Sequence, residues 1–211
     1  MKLQNGLIAI GGLEGEGKSS VCLKLANDLA KTENVLLISY QQYKEKLERL
    51  IENFDGSMSE NLLIYTDFEY FGVGAFVELM QLLESNPIST VFIDNSDFLN
   101  KYDPWDTAYG DVDEFVNAMA FLASHFNIRL VFTVNIAQKT TITRKHPMLK
   151  DFNSSRHIAN KCDQVLSIYR PFYYGFTEDA NGEPINKNQI DIYDLKNKHH
   201  KTLVSPFQWI S

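Results

Sequence analysis

At 211 residues, 44% of them hydrophobic and 22% charged, the chain suits one soluble globular domain with a substantial core. A formal net charge of −7 argues against an indiscriminate nucleic-acid binder but leaves local basic patches open. No signal peptide or apolar run of membrane-spanning length is present, so a cytoplasmic protein with no membrane partner is expected. Cys22 and Cys162 lack metal-ligand spacing, and Cys22 is expected to be a buried thiol.

In chain order, Leu7-Ile8-Ala9-Ile10 is an apolar run of strand length. It feeds residues 12–19, Gly-Leu-Glu-Gly-Glu-Gly-Lys-Ser, a complete G-x-x-x-x-G-K-[ST] phosphate-binding loop. Val21, Leu25 and Leu29 follow at helical spacing. Strand, glycine loop and helix in this order give the geometry the motif needs: backbone amides curl round a phosphate, and the helix N-terminus adds positive potential. The nucleotide-binding positions are therefore Gly12, Gly15, Glu16, Gly17, Lys18, Ser19 and Ser20. Lys18 is expected to reach the β/γ-phosphates, and Ser19 to ligate Mg²⁺.

Further along, Val35–Ser39 is predicted as a strand and Tyr43–Phe54 as a helix with Leu47, Leu50 and Ile51 on one face. Asp55-Gly56-Ser57 is a turn, Leu62–Tyr65 a third strand, and Phe76, Leu79, Met80 and Leu83 mark another helix. Thr90–Asp94 is a fourth strand, Val112–Phe126 a helix and Arg129–Val134 a fifth strand. Gln164–Tyr169, Gln189–Leu195 and Thr202–Trp209 are strand-like with no long helix between them, as antiparallel extension of a sheet would give. The alternation predicts an α/β fold with a mostly parallel central sheet flanked by helices, in a single domain. Val91-Phe92-Ile93-Asp94 has the form of a Walker B strand, whose carboxylate, Asp94, would hold Mg²⁺ near the phosphate loop.

Beyond these motifs the chain resembles the C-terminal, RecA-like ATPase domain of DnaB-type replicative helicases. The likeness is carried in order by Val35–Ser39 with Lys44–Leu47, by Val91–Leu99, by Pro147–Asp151, by Ile158, Asp163, Val165 and Tyr169-Arg170, and by Leu195-Lys196-Asn197-Lys198. It implies a RecA-like P-loop NTPase that uses ATP and Mg²⁺.

Several catalytic positions depart from the family. Its base, a glutamate in a Ser-Leu-Glu stretch, is replaced in Ser39-Tyr40-Gln41 by Gln41. An amide orients water but is a poor proton acceptor, and a positioned base contributes roughly 10²–10⁴-fold in rate. The nucleotide-sensing glutamine becomes Asn135, and the arginine finger that acts on a neighbouring subunit becomes Lys198, with the companion lysine kept as Lys196. Lysine supplies charge without the planar fork of arginine. A solvated strand edge beside His199 and His200 is the competing reading for Lys196 and Lys198. Met1–Asn5 leaves no room for the family's helical N-terminal domain, so a homo-oligomer, hexameric or otherwise, is left open.

Residues 139–161 carry Lys139, Arg144, Lys145, Lys150, Arg156 and Lys161 against Asp151 alone, a local +5 that leaves −12 elsewhere. In the family this stretch tracks the DNA backbone, which makes Lys139, Arg144, Lys145, Lys150 and Arg156 the candidate single-stranded DNA contacts. Its Arg-Glu-Ser-Gly segment is Asn153-Ser154-Ser155-Arg156 here, and the other pore loop, Asn100–Asp113, is acidic through Asp103, Asp106, Asp111 and Asp113. A solvated charged loop is the competing account. The expected function is ATP binding with weak hydrolysis, coupled to DNA or to a replication-type protein partner. Two alternatives remain: a competent DNA-dependent ATPase or helicase acting as a ring, and a non-hydrolysing adaptor that uses ATP as a latch.

Overall fold

Eight strands form one sheet in the order β3-β2-β4-β5-β1-β6-β7-β8. The computed structural model describes residues 2–66, 73–94, 112–136, 147–179 and 181–204. The strands are β1 Gly6–Gly12, β2 Val35–Ser39, β3 Leu62–Tyr65, β4 Thr90–Asp94, β5 Arg129–Asn135, β6 Gln164–Tyr169, β7 Gln189–Asp194 and β8 His199–Val204. Strands β1 to β6 pair in parallel, and β7 and β8 extend the sheet in antiparallel fashion. The helices are α1 Lys18–Ala30, α2 Lys44–Asp55, α3 Val73–Ser85, α4 Val112–His125 and α5 Arg156–Lys161.

The apolar runs of the central strands are buried on both faces, as parallel strands covered by helices must be. In β1, Leu7 and Ala9 join one core with Leu79, Phe115, Met119 and Ile158. Ile8 and Ile10 point the other way, into a core with Val21, Leu23, Leu47 and Ile51. The two-residue period of the strand thus divides the helices, α1 and α2 below and α3, α4 and α5 above. Phe132 in β5 is fully buried and meets Phe115 edge-on at 5.6 Å.

The predicted α/β architecture with antiparallel C-terminal strands is the one observed. Most boundaries agree to within a residue or two, and the last strand differs most. The last strand starts at His199, where Thr202 was expected, because Leu195 to Lys198 form a tight turn that lets β8 pair along the whole of β7. Residues 205–209, the end of the predicted strand, lie outside the described residues. Periodicity also gave no sign of two short 3₁₀ segments, Leu149–Ser155 and Pro171–Tyr174. In the first, Phe152 is 2% exposed, and its ring lies where a Cβ on Gly11 would fall, only 2.3 Å away.

Candidate nucleotide-binding site

The carboxyl ends of β1, β4 and β5 converge because Ile38, Ile93, Phe132 and Ala9 lie in matched register across the sheet. Open α/β sheets bind ligands at this end. Here β1 runs into the phosphate loop, and α1 starts at Lys18. Gly15 and Gly17 have φ of 79° and 87°, a left-handed backbone that a side chain would strain. Lys18 is 7% exposed; its Nζ donates to the Leu13 carbonyl at 2.9 Å and the Gly12 carbonyl at 3.2 Å. The ammonium therefore sits inside the loop's curl. Ser20 is buried behind it.

The Ser19 hydroxyl donates to Asp94 Oδ1 at 3.0 Å, and the Thr133 hydroxyl donates to the same oxygen at 2.9 Å. Asp94 is 3% exposed. One carboxylate and one hydroxyl at the loop's exit form a hard oxygen donor set of the kind Mg²⁺ takes when phosphates complete its shell. The residues present fit that ion. Among the described residues no cluster of three or more His, Cys, Asp or Glu side chains could hold another metal.

Gln41 is exposed two residues beyond Ser39, which pairs with Asp94. The Tyr40 amide donates to the Asp94 carbonyl at 2.8 Å, so Gln41 emerges at the same end of the sheet as the phosphate loop. Asn135 pairs with Gly12 and, with Leu13, Glu14, Gly15, Ile136, Tyr173 and Tyr174, lines a cleft of about 520 Å³ over the loop.

Lys196 and Lys198 are elsewhere. Asp194 lies opposite Leu166, so the β7–β8 turn falls level with the amino end of β6, away from the chain's own loop. Both lysines occupy that turn and not a strand edge. Lys196 Nζ donates to the Cys162 carbonyl at 2.5 Å, whereas Lys198 is exposed, with a φ of 57°. Asp194 fixes the turn by accepting from the Lys196 and Asn197 amides at 3.2 and 3.0 Å. Of the basic stretch, Lys150 is exposed in the first 3₁₀ segment and Arg156 begins α5. Lys139, Arg144 and Lys145 lie outside the described residues, as do Asp103, Asp106 and Asp111 of the acidic loop.

Sequence reasoning did not find the roles of Thr133, Tyr173, Tyr174 and Arg170. Arg170, 8% exposed, donates from Nη1 to the Gly15 carbonyl at 3.2 Å, and its guanidinium lies 5.7 Å from the Tyr173 ring centre. The Tyr174 hydroxyl donates to Glu16 Oε1 at 2.6 Å. Tyr169-Arg170 had marked the resemblance, but nothing in the pattern tied it to the phosphate loop.

No protein-family model matches the chain. A probable replicative DNA helicase of Trieres chinensis is 23% identical over 224 aligned positions, covering 90% of this chain and 47% of that protein. The chain thus spans about half the length of the curated relative it matches. Among solved structures, one ATPase domain superposes with a TM-score of 0.72 at 16% identity, covering 96% of this chain and 81% of that one. A DnaB-like replicative helicase, solved with its interactions with primase, gives 0.74 at 16% identity over 98% of this chain and 58% of that one. The chain thus has the fold of the ATPase domain of DnaB-like replicative helicases.

Proposed function

We propose that residues 1–211 act as a single cytoplasmic RecA-like unit that binds ATP with Mg²⁺ and hydrolyses it slowly, coupled to single-stranded DNA or to a replication-type protein. The observation that carries this reading is the convergence of Lys18, Ser19 and Asp94 at one end of the sheet. Bound Mg²⁺ would neutralise charge on the terminal phosphates. Lys18 and the loop amides bind and orient the triphosphate, Ser19 and Asp94 hold the metal, and Asn135 borders the space above Gly12. Gln41 orients water without accepting its proton, so turnover is slow. Lys198 is directed away from its own loop, so any help it gives reaches a second copy's nucleotide. The basic stretch with Lys139, Arg144, Lys145, Lys150 and Arg156 is the DNA-contacting candidate.

A latch that binds ATP without turnover is the second reading, favoured by Gln41 and by the engagement of Lys196 with the Cys162 carbonyl. Turnover with and without single-stranded DNA tests the choice. Slow hydrolysis stimulated by DNA supports the coupled ATPase; tight ATP binding with no turnover in either condition supports the latch. A ring-forming, competent helicase would show fast DNA-dependent turnover together with assembly in sedimentation.

A further inference from the structure

Glu16 is an acid inside an anion-binding loop, and it is fully buried. A carboxylate there opposes phosphate binding by charge and is costly to enclose unless its oxygens are hydrogen-bonded. Both oxygens are engaged. Oε2 accepts the Leu13 amide at 2.6 Å, and Oε1 accepts the Tyr174 hydroxyl at 2.6 Å. Oε2 also lies 2.8 Å from where a Cβ on Gly12 would sit, so the side chain spans the loop it belongs to. Among the described residues, the charged and titratable groups that face it are Lys18 at the start of α1, Arg170 and Tyr169 at the end of β6, and Tyr174 in the second 3₁₀ segment.

We infer that Glu16 is a positioning residue of the phosphate loop, and that its carboxylate takes up a proton from solvent when a nucleoside triphosphate binds. The inference rests on the nucleotide reading of this loop. Lys18 Nζ lies against the Leu13 and Gly12 carbonyls, within the field of Glu16. The motif's chemistry turns that ammonium toward phosphate, so the carboxylate loses part of a cationic neighbour and gains an anionic one. Phosphate charge set beside a buried carboxylate favours the carboxylate's protonated form. Burial already holds the Glu16 carboxyl above the ordinary range, against the opposing pull of Tyr174, Leu13, Lys18 and Arg170. The geometry serves both protonation states. Ionised, Glu16 accepts from Leu13 and Tyr174. Protonated, it keeps the Leu13 amide on one oxygen and donates from the other to the Tyr174 hydroxyl, which rotates. The cradle holds its shape while the charge beside the phosphates disappears.

Calorimetry of Mg·ATP binding in two buffers of different ionisation enthalpy, from about pH 6 to about pH 9, counts the protons exchanged. Comparison with Glu16→Gln subtracts the titration of the nucleotide itself. Wild type is expected to take up as much as about one proton more than Glu16→Gln at its maximum, and its affinity to fall more steeply with rising pH. Equal uptake at every pH overturns the inference. Tyr174→Phe is the gentler variant: with its donor gone, the free carboxyl titrates higher, so the extra uptake moves to higher pH, and an unmoved window overturns the inference too. No binding by wild type would instead remove the nucleotide reading, and this inference with it.

Discussion

The Ser19 hydroxyl and Asp94 Oδ1 lie 3.0 Å apart, joining the first turn of α1 to the last residue of β4. Two segments that are remote in sequence thereby set a hydroxyl and a carboxylate at the exit of the phosphate loop. If they hold Mg²⁺, Asp94→Asn keeps the shape and removes the charge. The ratio of ATP affinity with Mg²⁺ to that without is then expected to shrink by about tenfold or more, the scale of a lost hydrogen bond to a charged group. A titration showing the same ratio in mutant and wild type would place the metal elsewhere.

Gln41 emerges beside Asp94 but cannot take a proton. Gln41→Glu is expected to raise single-turnover hydrolysis toward, though not fully to, the roughly 10²–10⁴-fold contributed by a positioned base. The gain is smaller because Asn135 and Lys198 stay as they are. A mutant no faster than wild type moves the defect to the missing trans arginine.

Phe152 covers Gly11 so closely that a methyl group there meets the ring at 2.3 Å. Gly11→Ala should therefore lower stability by about 1–3 kcal/mol, read from the urea midpoint. Recovery on adding Phe152→Leu would show that the ring is the obstacle, and an unchanged midpoint in Gly11→Ala alone would refute the contact.

The succession of strands and helices along the chain was legible, including the strand that runs through a glycine loop into α1 and the strand that ends at Asp94, because each is a local pattern: an apolar run, a glycine spacing, a strand ending in acid. Helix α2 was foreseen from Leu47 and Ile51, which are indeed buried. The partners of Glu16 were not legible, since Tyr174 lies 158 residues away and meets it only because β6 lies beside β1. Lys196 and Lys198 were read together, either as a finger position with its companion lysine or as charges on one solvated strand edge. The turn fixed by Asp194 separates them, engaging one with Cys162 and leaving the other exposed. Such pairings depend on register between strands, which residue spacing along one strand does not encode.

The local +5 of residues 139–161 has a salt signature if it meets single-stranded DNA. Replacing Arg144 and Lys145 with alanine should weaken binding and lower the log–log salt slope by about 1.4, at roughly 0.7 per phosphate contact. Fluorescence anisotropy with labelled single-stranded DNA, with and without ATP, reads both. No binding at low salt in either state removes DNA as the partner and makes the same stretch a protein-contact candidate.

Lys18 carries the central claim, because its ammonium lies within the loop where phosphate charge would be held. Calorimetric titration of Mg·ATP into wild type and Lys18→Ala tests it most directly, with circular dichroism confirming that both are folded. Loss of a charged hydrogen-bond donor costs about 1.5–3 kcal/mol, so affinity should fall on the order of 10- to 100-fold or more. Equal affinity in the two folded proteins would contradict the assignment of residues 12–19 as the nucleotide site.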